Sequence, residues 1–407
     1  MREWLRATAG GMPRRFWLLW TANLINRCGN VVFIVLTFFL SAERHLSAHE
    51  VGLVVGLMGA GGALGVLLGG TLADRWGRRR TLLLAQCASA AALLVLGVVS
   101  TVPMIAAVGL VVGTAQSLAR PAFAATTVDL VAPHDRTRAF SLTVWSNNLA
   151  FVVAAVLAGW LASVDYRLVF LGDAATALVS GLIVFRRVGE TRPEPVDDPP
   201  ASAGSPWRDG LFLVLCALIS LTFLVIMQFA STLPLSMARD GLGAAGYGAI
   251  MSVNAVVIIV AQPFVPRLLR GRDLTHLLAA ATVVLGIGFG LTAVTHTALG
   301  YAVTVLVWAI GETLLAPGYS TLVADMSPDG ARGRYQGAFS LGIAGSTIAA
   351  PIAGTAVLDA FGGPALWLGC LALAFVIAAG YFVARPAWAR RLTQTEREDT
   401  SAAYKGS

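Results

Sequence analysis

Runs of about 20 mostly apolar residues recur along the whole chain, separated by short polar breaks, and a helix needs a run of that length to cross a bilayer. Of the 407 residues, 57% are hydrophobic and 13% are charged, whereas a soluble domain carries about 25% charged residues. No strand-type alternation of apolar and polar residues is visible. The sequence therefore predicts an all-α membrane protein and not an outer-membrane barrel.

The apolar runs predict twelve spanning helices. Their approximate ranges are 15–40, 49–73, 80–101, 103–131, 138–162, 167–186, 209–236, 245–268, 274–295, 298–327, 333–359 and 363–385. Most of the 29 Lys and Arg residues fall in alternate connections, and the connections between these are nearly uncharged. By the positive-inside rule, both termini are predicted to be cytoplasmic and the protein to be multi-pass in the inner cell membrane.

The chain is predicted to consist of two six-helix halves. Residues 187–208 are rich in Pro and charge, cannot bury an apolar face, and are therefore interpreted as a cytoplasmic linker. This gives an N-terminal half over 1–186, a C-terminal half over 209–385 and a cytoplasmic tail over 386–407. Four residues recur at one constant offset in the second half, which supports two related halves. These pairs are Pro121 with Pro317, Asp129 with Asp325, Arg136 with Arg332, and Arg138 with Arg334.

The loop after the second predicted span reads GTLADRWGRRR over residues 70–80. It resembles the signature loop of the major facilitator superfamily, GxLaDRxGRRR, at each defining position. With the helix number, the two halves and the central linker, the resemblance covers the whole chain and is nearest to twelve-helix bacterial drug/proton antiporters. It implies two pseudo-symmetric six-helix bundles. In the fifth span, Ala155 replaces the proline of the antiporter pattern, and Pro351 stands at the corresponding place in the eleventh span.

Residues of this loop are expected to form a conformational latch. The resemblance implies that the latch holds the outward-open state, that Asp74 faces the start of the eleventh span, and that a loop arginine meets Asp129. Gly70 and Gly77 are expected to allow close packing and a tight turn. The full predicted set is Gly70, Asp74, Arg75, Gly77, Arg78, Asp129 and Asp325. The alternative is that the arginines at 78–80 only anchor the topology.

Ionisable residues inside predicted spans are candidates for function, because each costs about 2.5–3.5 kcal/mol to insert at the helix centre. Glu312 is the first candidate for proton coupling and Asp173 the second, since a buried carboxylate can titrate in a useful range. Arginine cannot release its proton, and Lys405 in the tail is the one lysine of the chain. Glu312, whose first-half counterpart is Gln116, could instead form a structural ion pair.

Polar and aromatic residues in the spans predict a substrate cavity. They are Asn23, Asn26, Arg27, Gln116, Arg120, Trp145, Asn147, Asn148, Gln228, Asn254, Gln262, Trp308 and Tyr319. Arg27 could bind an anionic group of a substrate or pair with a carboxylate, and Arg120 could line the cavity or extend to the headgroups. The aromatic residues could instead pack in the bundle or sit in the interface belt.

These features favour a secondary transporter that exports small amphipathic compounds in exchange for protons. The first alternative is import of a sugar or other metabolite by proton symport, and the second is a membrane sensor or enzyme. No HExxH, GxSxG or Walker motif stands in a credible context, so no enzyme activity and no cofactor are predicted, and an ion gradient supplies the energy. The four cysteines lack metal-site spacing, so no metal is expected. The predicted partners are a small-molecule substrate, protons and the lipid bilayer, with no nucleic acid and a monomeric state.

Overall fold

The computed structural model describes residues 11–132, 135–191, 205–269, 272–328 and 331–405, and within these ranges it is helical without strands. The α-helices are α1 (Arg14–Cys28), α2 (Val32–Phe38), α3 (Ala48–Trp76), α4 (Arg78–Val98), α5 (Val102–Leu130), α6 (Arg136–Val164), α7 (Tyr166–Ile183), α8 (Gly210–Ile226), α9 (Gln228–Arg239), α10 (Ala244–Ala261), α11 (Val265–Leu269), α12 (Leu274–Leu291), α13 (Ala298–Met326) and α14 (Arg332–Lys405). Short π-helical turns extend α2 over Phe39–Glu43 and α7 over Val184–Val188.

Eleven segments of the described chain are long and apolar enough to cross a membrane. The last of them, Arg334–Arg391, contains Gly362 with φ of 83° and ψ of 175°, a conformation that interrupts a helix. Gly362 therefore divides α14 into two spans, as the sequence predicts for the eleventh and twelfth helices. The all-α, multi-span fold class is confirmed.

The chain forms two compact units. Unit 1 comprises 1–197, 228–259 and 347–360, and unit 2 comprises 198–227, 260–346 and 361–407. Helices of the second sequence half are thus shared between the two units, and the predicted division into halves stays a prediction. Most of the predicted linker, 192–204, lies outside the described residues.

Within unit 1, a stripe of glycines on α3 packs directly against the backbone of α5. A Cβ atom added to Gly61, Gly65 or Gly69 would lie 2.0, 2.2 and 2.3 Å from carbonyl oxygens of α5. The reverse holds for Gly113 of α5, whose added Cβ would lie 1.9 Å from the carbonyl oxygen of Met58. Small residues four positions apart let two membrane helices approach closely, and α3 and α5 form such a pair in unit 1.

Unit 1 also contains a tight set of contacts at the end predicted to face outside. A Cβ on Gly248 of α10 would lie 2.2 Å from the carbonyl oxygen of Ala155 in α6. A Cβ on Gly52 of α3 would lie 2.0 Å from Oγ1 of Thr355 in α14. The Thr37 hydroxyl donates to the carbonyl oxygen of Ala230 at 2.9 Å. Helices of both sequence halves are therefore packed together at this end.

Within unit 2, aromatic and charged contacts hold the helices. Phe289 of α12 stacks on Trp308 of α13 with ring centroids 5.2 Å apart. Arg391 in α14 donates to Asp209 at 2.7 Å and to the carbonyl oxygen of Met326 at 2.9 Å, and Tyr335 donates to Asp209 at 2.9 Å. Asp209 thus joins the start of α8 to two parts of α14.

Candidate functional site

A polar cavity of about 280 Å³ lies inside unit 1 between α1, α4, α5, α6 and α7. The polar and charged residues that line it are Asn23, Asn26, Arg27, Asn30, Gln86, Ser89, Gln116, Arg120, Thr143, Asn147, Asp173 and Ser180. Leu19, Leu82, Ala119, Phe123, Gly181 and Val184 complete the wall. The cavity therefore combines an apolar surface with hydrogen-bonding groups, as a site for a small organic molecule does.

The break between α1 and α2 determines where Asp173 sits. At the break, Gly29 approaches α7 so closely that an added Cβ would lie 1.7 Å from Oγ1 of Thr176. Val32 begins α2, so its N–H lacks a partner within the helix. The Asp173 carboxylate accepts this N–H at 3.2 Å, and its residue is only 3% exposed. A carboxylate is thus held at the cavity wall by one backbone donor.

Two arginines face the same cavity. Arg27 comes from α1 and Arg120 from α5, and their guanidinium groups are close enough to repel each other. Neither forms an ion pair with any residue that the structure describes. Nε of Arg27 and Oδ1 of Asn30 are buried without a hydrogen-bond partner among the described residues. The cavity therefore holds more positive than negative charge.

Seven of the predicted coupling and cavity residues converge in this cavity: Asn23, Asn26, Arg27, Gln116, Arg120, Asn147 and Asp173. Asn147 accepts a hydrogen bond from the amide of Asn23 at 3.0 Å. The roles predicted for these residues stay predictions. The sequence predicted that these residues line one cavity, because they are polar residues within apolar spans.

Other predicted cavity residues lie elsewhere, each for a physical reason. Trp145 is 49% exposed on the helix surface, which fits its alternative interpretation as a lipid-facing or interface residue. The buried Gln228 amide donates to the carbonyl oxygen of Ala350 at 3.1 Å and so ties two helices together. Trp308 stacks in the core of unit 2, where Tyr319 is also buried. Asn148, Asn254 and Gln262 are likewise outside this cavity.

Sequence reasoning missed Asn30, Gln86, Ser89, Thr143 and Ser180, which line the cavity. A periodic signal could have found several of them. Asn23, Asn26, Arg27 and Asn30 share one helical face by their spacing, and Gln86 with Ser89 does the same on α4. Searching each span for a polar face, and not for single charges, would have revealed these positions.

Glu312, the first candidate for proton coupling, lies in α13 and belongs to unit 2, outside the cavity of unit 1. It is partly buried and interacts with another group of the protein. Asp325 is near the end of the same helix and also makes an interaction. Their coupling and gating roles stay predictions.

The loop between α3 and α4 is held by Glu190. Gly77 has φ of 91°, and an added Cβ would lie 2.7 Å from the Glu190 carboxylate. Glu190 accepts the backbone N–H groups of Arg78 at 2.7 Å and of Arg79 at 3.4 Å, which satisfies the start of α4. Glu190 was not among the predicted latch residues, since it was placed in the linker.

The Arg78 side chain forms the ion pair that the family resemblance implies. Its guanidinium contacts the Asp129 carboxylate and donates to the carbonyl oxygen of Ala125 at 3.2 Å. Asp74, like Glu190, is near enough to attract Arg78 electrostatically. The contact of Asp74 with the eleventh span stays a prediction, and Arg75 is exposed.

The close packing predicted for Gly70 is wrong. No atom of the described residues lies within 4 Å of a Cβ added there, and the preceding Gly69 makes the close contact with α5 instead. One position along a helix rotates a residue by about 100°, enough to move it off the packed face.

Comparison with known proteins agrees with this architecture. The family model of the Major Facilitator Superfamily matches residues 19–342. The uncharacterized MFS-type transporter YttB of Bacillus subtilis is 24% identical over 373 residues, covering 90% of this chain and 94% of YttB. Multidrug resistance protein MdtH of Klebsiella pneumoniae is 25% identical over 322 residues, covering 77% of this chain and 79% of MdtH.

Solved transporters share the fold. Peptide transporter POT in complex with sulfate superposes with a TM-score of 0.80 at 14% identity, covering 96% of this chain and 99% of that one. Nucleoside transporter NupG gives a TM-score of 0.73 at 14% identity, covering 91% and 99%. At this identity the likeness shows the fold alone.

Proposed function

The chain belongs to the major facilitator superfamily, and on that basis we propose that it is a proton-coupled secondary transporter that exports small amphipathic compounds across the inner cell membrane. The observation that carries the proposal is a buried carboxylate, Asp173, in the wall of a polar cavity inside a bundle of spanning helices. A carboxylate at membrane depth is costly and marks a functional site. Export is supported by the relatives named multidrug resistance proteins.

Asp173 is the proposed proton carrier. Among the described residues its carboxylate has one hydrogen-bond donor, the N–H of Val32, and no ion-pair partner. A carboxylate stabilised so sparsely can change protonation without breaking an ion pair. Its position in the cavity wall lets a bound molecule sense that change. Glu312 is kept as a second proposed carrier, to be tested beside it.

Alternating access is the proposed mechanism. The contacts of Gly52, Thr37 and Gly248 pack helices of both sequence halves together at the predicted outer end. While these contacts are closed, the cavity cannot open at the predicted outer end. Transport then requires these contacts to separate while the cavity residues stay in place. The proposed form is a monomer, because one chain supplies all the helices that line the cavity and all those that close the predicted outer end.

Proton symport of an organic anion is the second candidate function, and the charge of the cavity favours it. Arg27 and Arg120 are the other charged groups that line the cavity, and the lining residues from α4 and α6 are uncharged. Protonation of Asp173 would raise the positive charge of the cavity and tighten the binding of an anion. When protonation and anion binding each strengthen the other, the proton and the anion are carried in the same direction, which is symport.

Reconstituted protein tests the proposal. Flux of ethidium, of a neutral dye and of an anionic dye would be measured in proteoliposomes with an imposed pH gradient, for wild type, Asp173→Asn and Glu312→Gln. We expect gradient-driven flux of at least one dye in wild type and its loss in Asp173→Asn. The direction of flux relative to the proton gradient separates antiport from symport. Unchanged driven flux in Asp173→Asn would remove Asp173 as the proton carrier. Loss of driven flux in Glu312→Gln alone would assign that role to Glu312.

A further inference from the structure

We infer that the cavity of unit 1 binds the anionic group of an amphipathic organic anion, with Arg27 and Arg120 as its two ligands. This inference rests on the proposed function, because it names the substrate class of the same cavity. Three features of the cavity support an anionic ligand: its charge, its unsatisfied polar atoms and its apolar wall.

Charge comes first. Two guanidinium groups from different helices, Arg27 on α1 and Arg120 on α5, face one cavity and repel each other. Like charges in a medium of low dielectric constant destabilise the fold unless a counter-charge is present. Asp173 supplies one negative charge in the same wall but forms no ion pair with either arginine in the described chain. One positive charge remains, which matches a monoanion.

Hydrogen bonding comes second. Nε of Arg27 is buried and has no partner among the described residues, although a buried donor normally has one. Arginine presents a planar fork of donors that fits a carboxylate or phosphonate oxygen pair better than any neutral group. Gln116 and Asn26 line the cavity too and can donate amide hydrogens to the same group.

The apolar part of the cavity wall indicates the chemistry of the rest of the bound molecule. Leu19, Leu82 and Phe123 supply apolar surface in the same cavity. A volume of about 280 Å³ admits a small molecule with one ring. An aromatic carboxylate therefore fits the cavity in charge, in hydrogen bonding and in size, whereas a benzylic ammonium ion of similar shape would bring a third positive group beside the two arginines.

The test is equilibrium binding to the purified full-length protein, without any gradient. Benzoate and phenylphosphonate are the anionic probes, benzamide is the neutral match, and benzylamine is the cationic match. Calorimetry gives the affinity and a thermal melt gives ligand protection. We expect saturable binding of benzoate or phenylphosphonate, and little or none of benzamide and benzylamine. The relative affinity of the first two tells a carboxylate site from a phosphonate-type site.

Variants locate the anion. Arg27→Gln and Arg120→Gln should each weaken anion binding by at least about tenfold, since each removes a charge-assisted hydrogen bond. Arg27→Lys keeps the charge and should lose less affinity than Arg27→Gln. Arg14→Gln is the matched control, because Arg14 is exposed at the start of α1 and does not line the cavity. A single elution peak and a melting temperature without ligand that is no lower than that of wild type show that each variant is folded.

Three results would overturn the inference. These are preferential binding of benzylamine, anion affinity that is the same in Arg27→Gln and Arg120→Gln as in wild type, and no saturable binding of either anion to folded wild type. The proposed function is tested separately, because these measurements use no proton gradient. Unchanged driven flux in Asp173→Asn, with saturable benzoate binding to wild type, would remove Asp173 as the proton carrier and leave the anion site standing. Loss of driven flux in Asp173→Asn, without saturable binding of either anion to wild type, would remove only the anion site.

Discussion

Gly77 and Gly70 differ in backbone conformation and in the contacts that a Cβ would make, so an alanine at each should affect stability differently. Gly77 has φ of 91° and ψ of 156°, a region that is essentially restricted to glycine, and the Glu190 carboxylate lies only 2.7 Å from the position of an added Cβ. We expect Gly77→Ala to lower the unfolding free energy by on the order of 1–3 kcal/mol, measured as a lower melting temperature. Gly70→Ala is the matched control, because no described residue comes within 4 Å of a Cβ added there, and it should be neutral or slightly stabilising. Equal melting temperatures for the two variants would contradict this account of the loop.

Single residues also mark how far the sequence could predict the site. Arg27, Arg120 and Asp173 were predictable because a charge in an apolar span is expensive and needs a polar environment. Trp145 and Trp308 were not, because a tryptophan is equally suited to lipid, to core packing and to a cavity, and only the rotation of its helix decides. Glu190 was missed since it follows the last turn of a helix, in a segment whose composition is that of a linker.

At the scale of elements, the sequence predicted the number and type of helices well and their interruptions poorly. Apolar runs determine spans by length alone. The helix breaks at Gly29 and at Met227 were not predicted, and at Gly29 the break coincides with a close approach to Thr176, a tertiary contact that no local pattern contains. The turn at Gly362, by contrast, falls where the sequence places the boundary between the eleventh and twelfth spans. The break at Gly29 matters most, because it frees the N–H of Val32 that holds Asp173.

The contact between α6 and α10 offers a test at the same scale. Gly248→Val would place side-chain atoms against the Ala155 carbonyl oxygen and should separate the two helices at the predicted outer end. We expect the buried Thr37 position to become more accessible. With Thr37→Cys in a background where the native cysteines are replaced by alanine, labelling by a membrane-impermeant maleimide should rise several-fold. Gly243→Val, with nothing within 4 Å of its Cβ, is the control, and equal labelling of the two would exclude this contact as a gate.

The junction of α8 and α14 should depend on pH through Asp209. Burial alone would raise the pKa of Asp209, but hydrogen bonds from Arg391, Phe212 and Tyr335 and the charge of Arg391 lower it below its usual value. A lowered folded-state pKa stabilises the protein above the unfolded value of about 3.9 and loses that effect as pH falls through the folded value. Asp209→Asn should therefore melt at a lower temperature than wild type at pH 7. The difference should shrink below about pH 4, and a constant difference would refute the assignment.

At the scale of the whole molecule, unit 1 combines a charged cavity with helix contacts that close the predicted outer end. Proton coupling requires that substrate binding in the cavity and separation of the outer contacts both depend on the protonation of one carboxylate. Substrate exchange across the membrane needs only binding and the conformational change, whereas accumulation against a gradient also needs the proton step. A variant that keeps exchange and loses accumulation therefore isolates the coupling residue from residues needed for folding or binding.

The most direct measurement is transport by Asp173→Asn in proteoliposomes, in two modes with the same substrate. The account predicts that exchange between equal internal and external substrate pools persists at a rate comparable to wild type. It predicts that accumulation driven by a pH gradient is abolished. Accumulation equal to that of wild type in Asp173→Asn would contradict the central claim that the buried carboxylate of this cavity carries the proton.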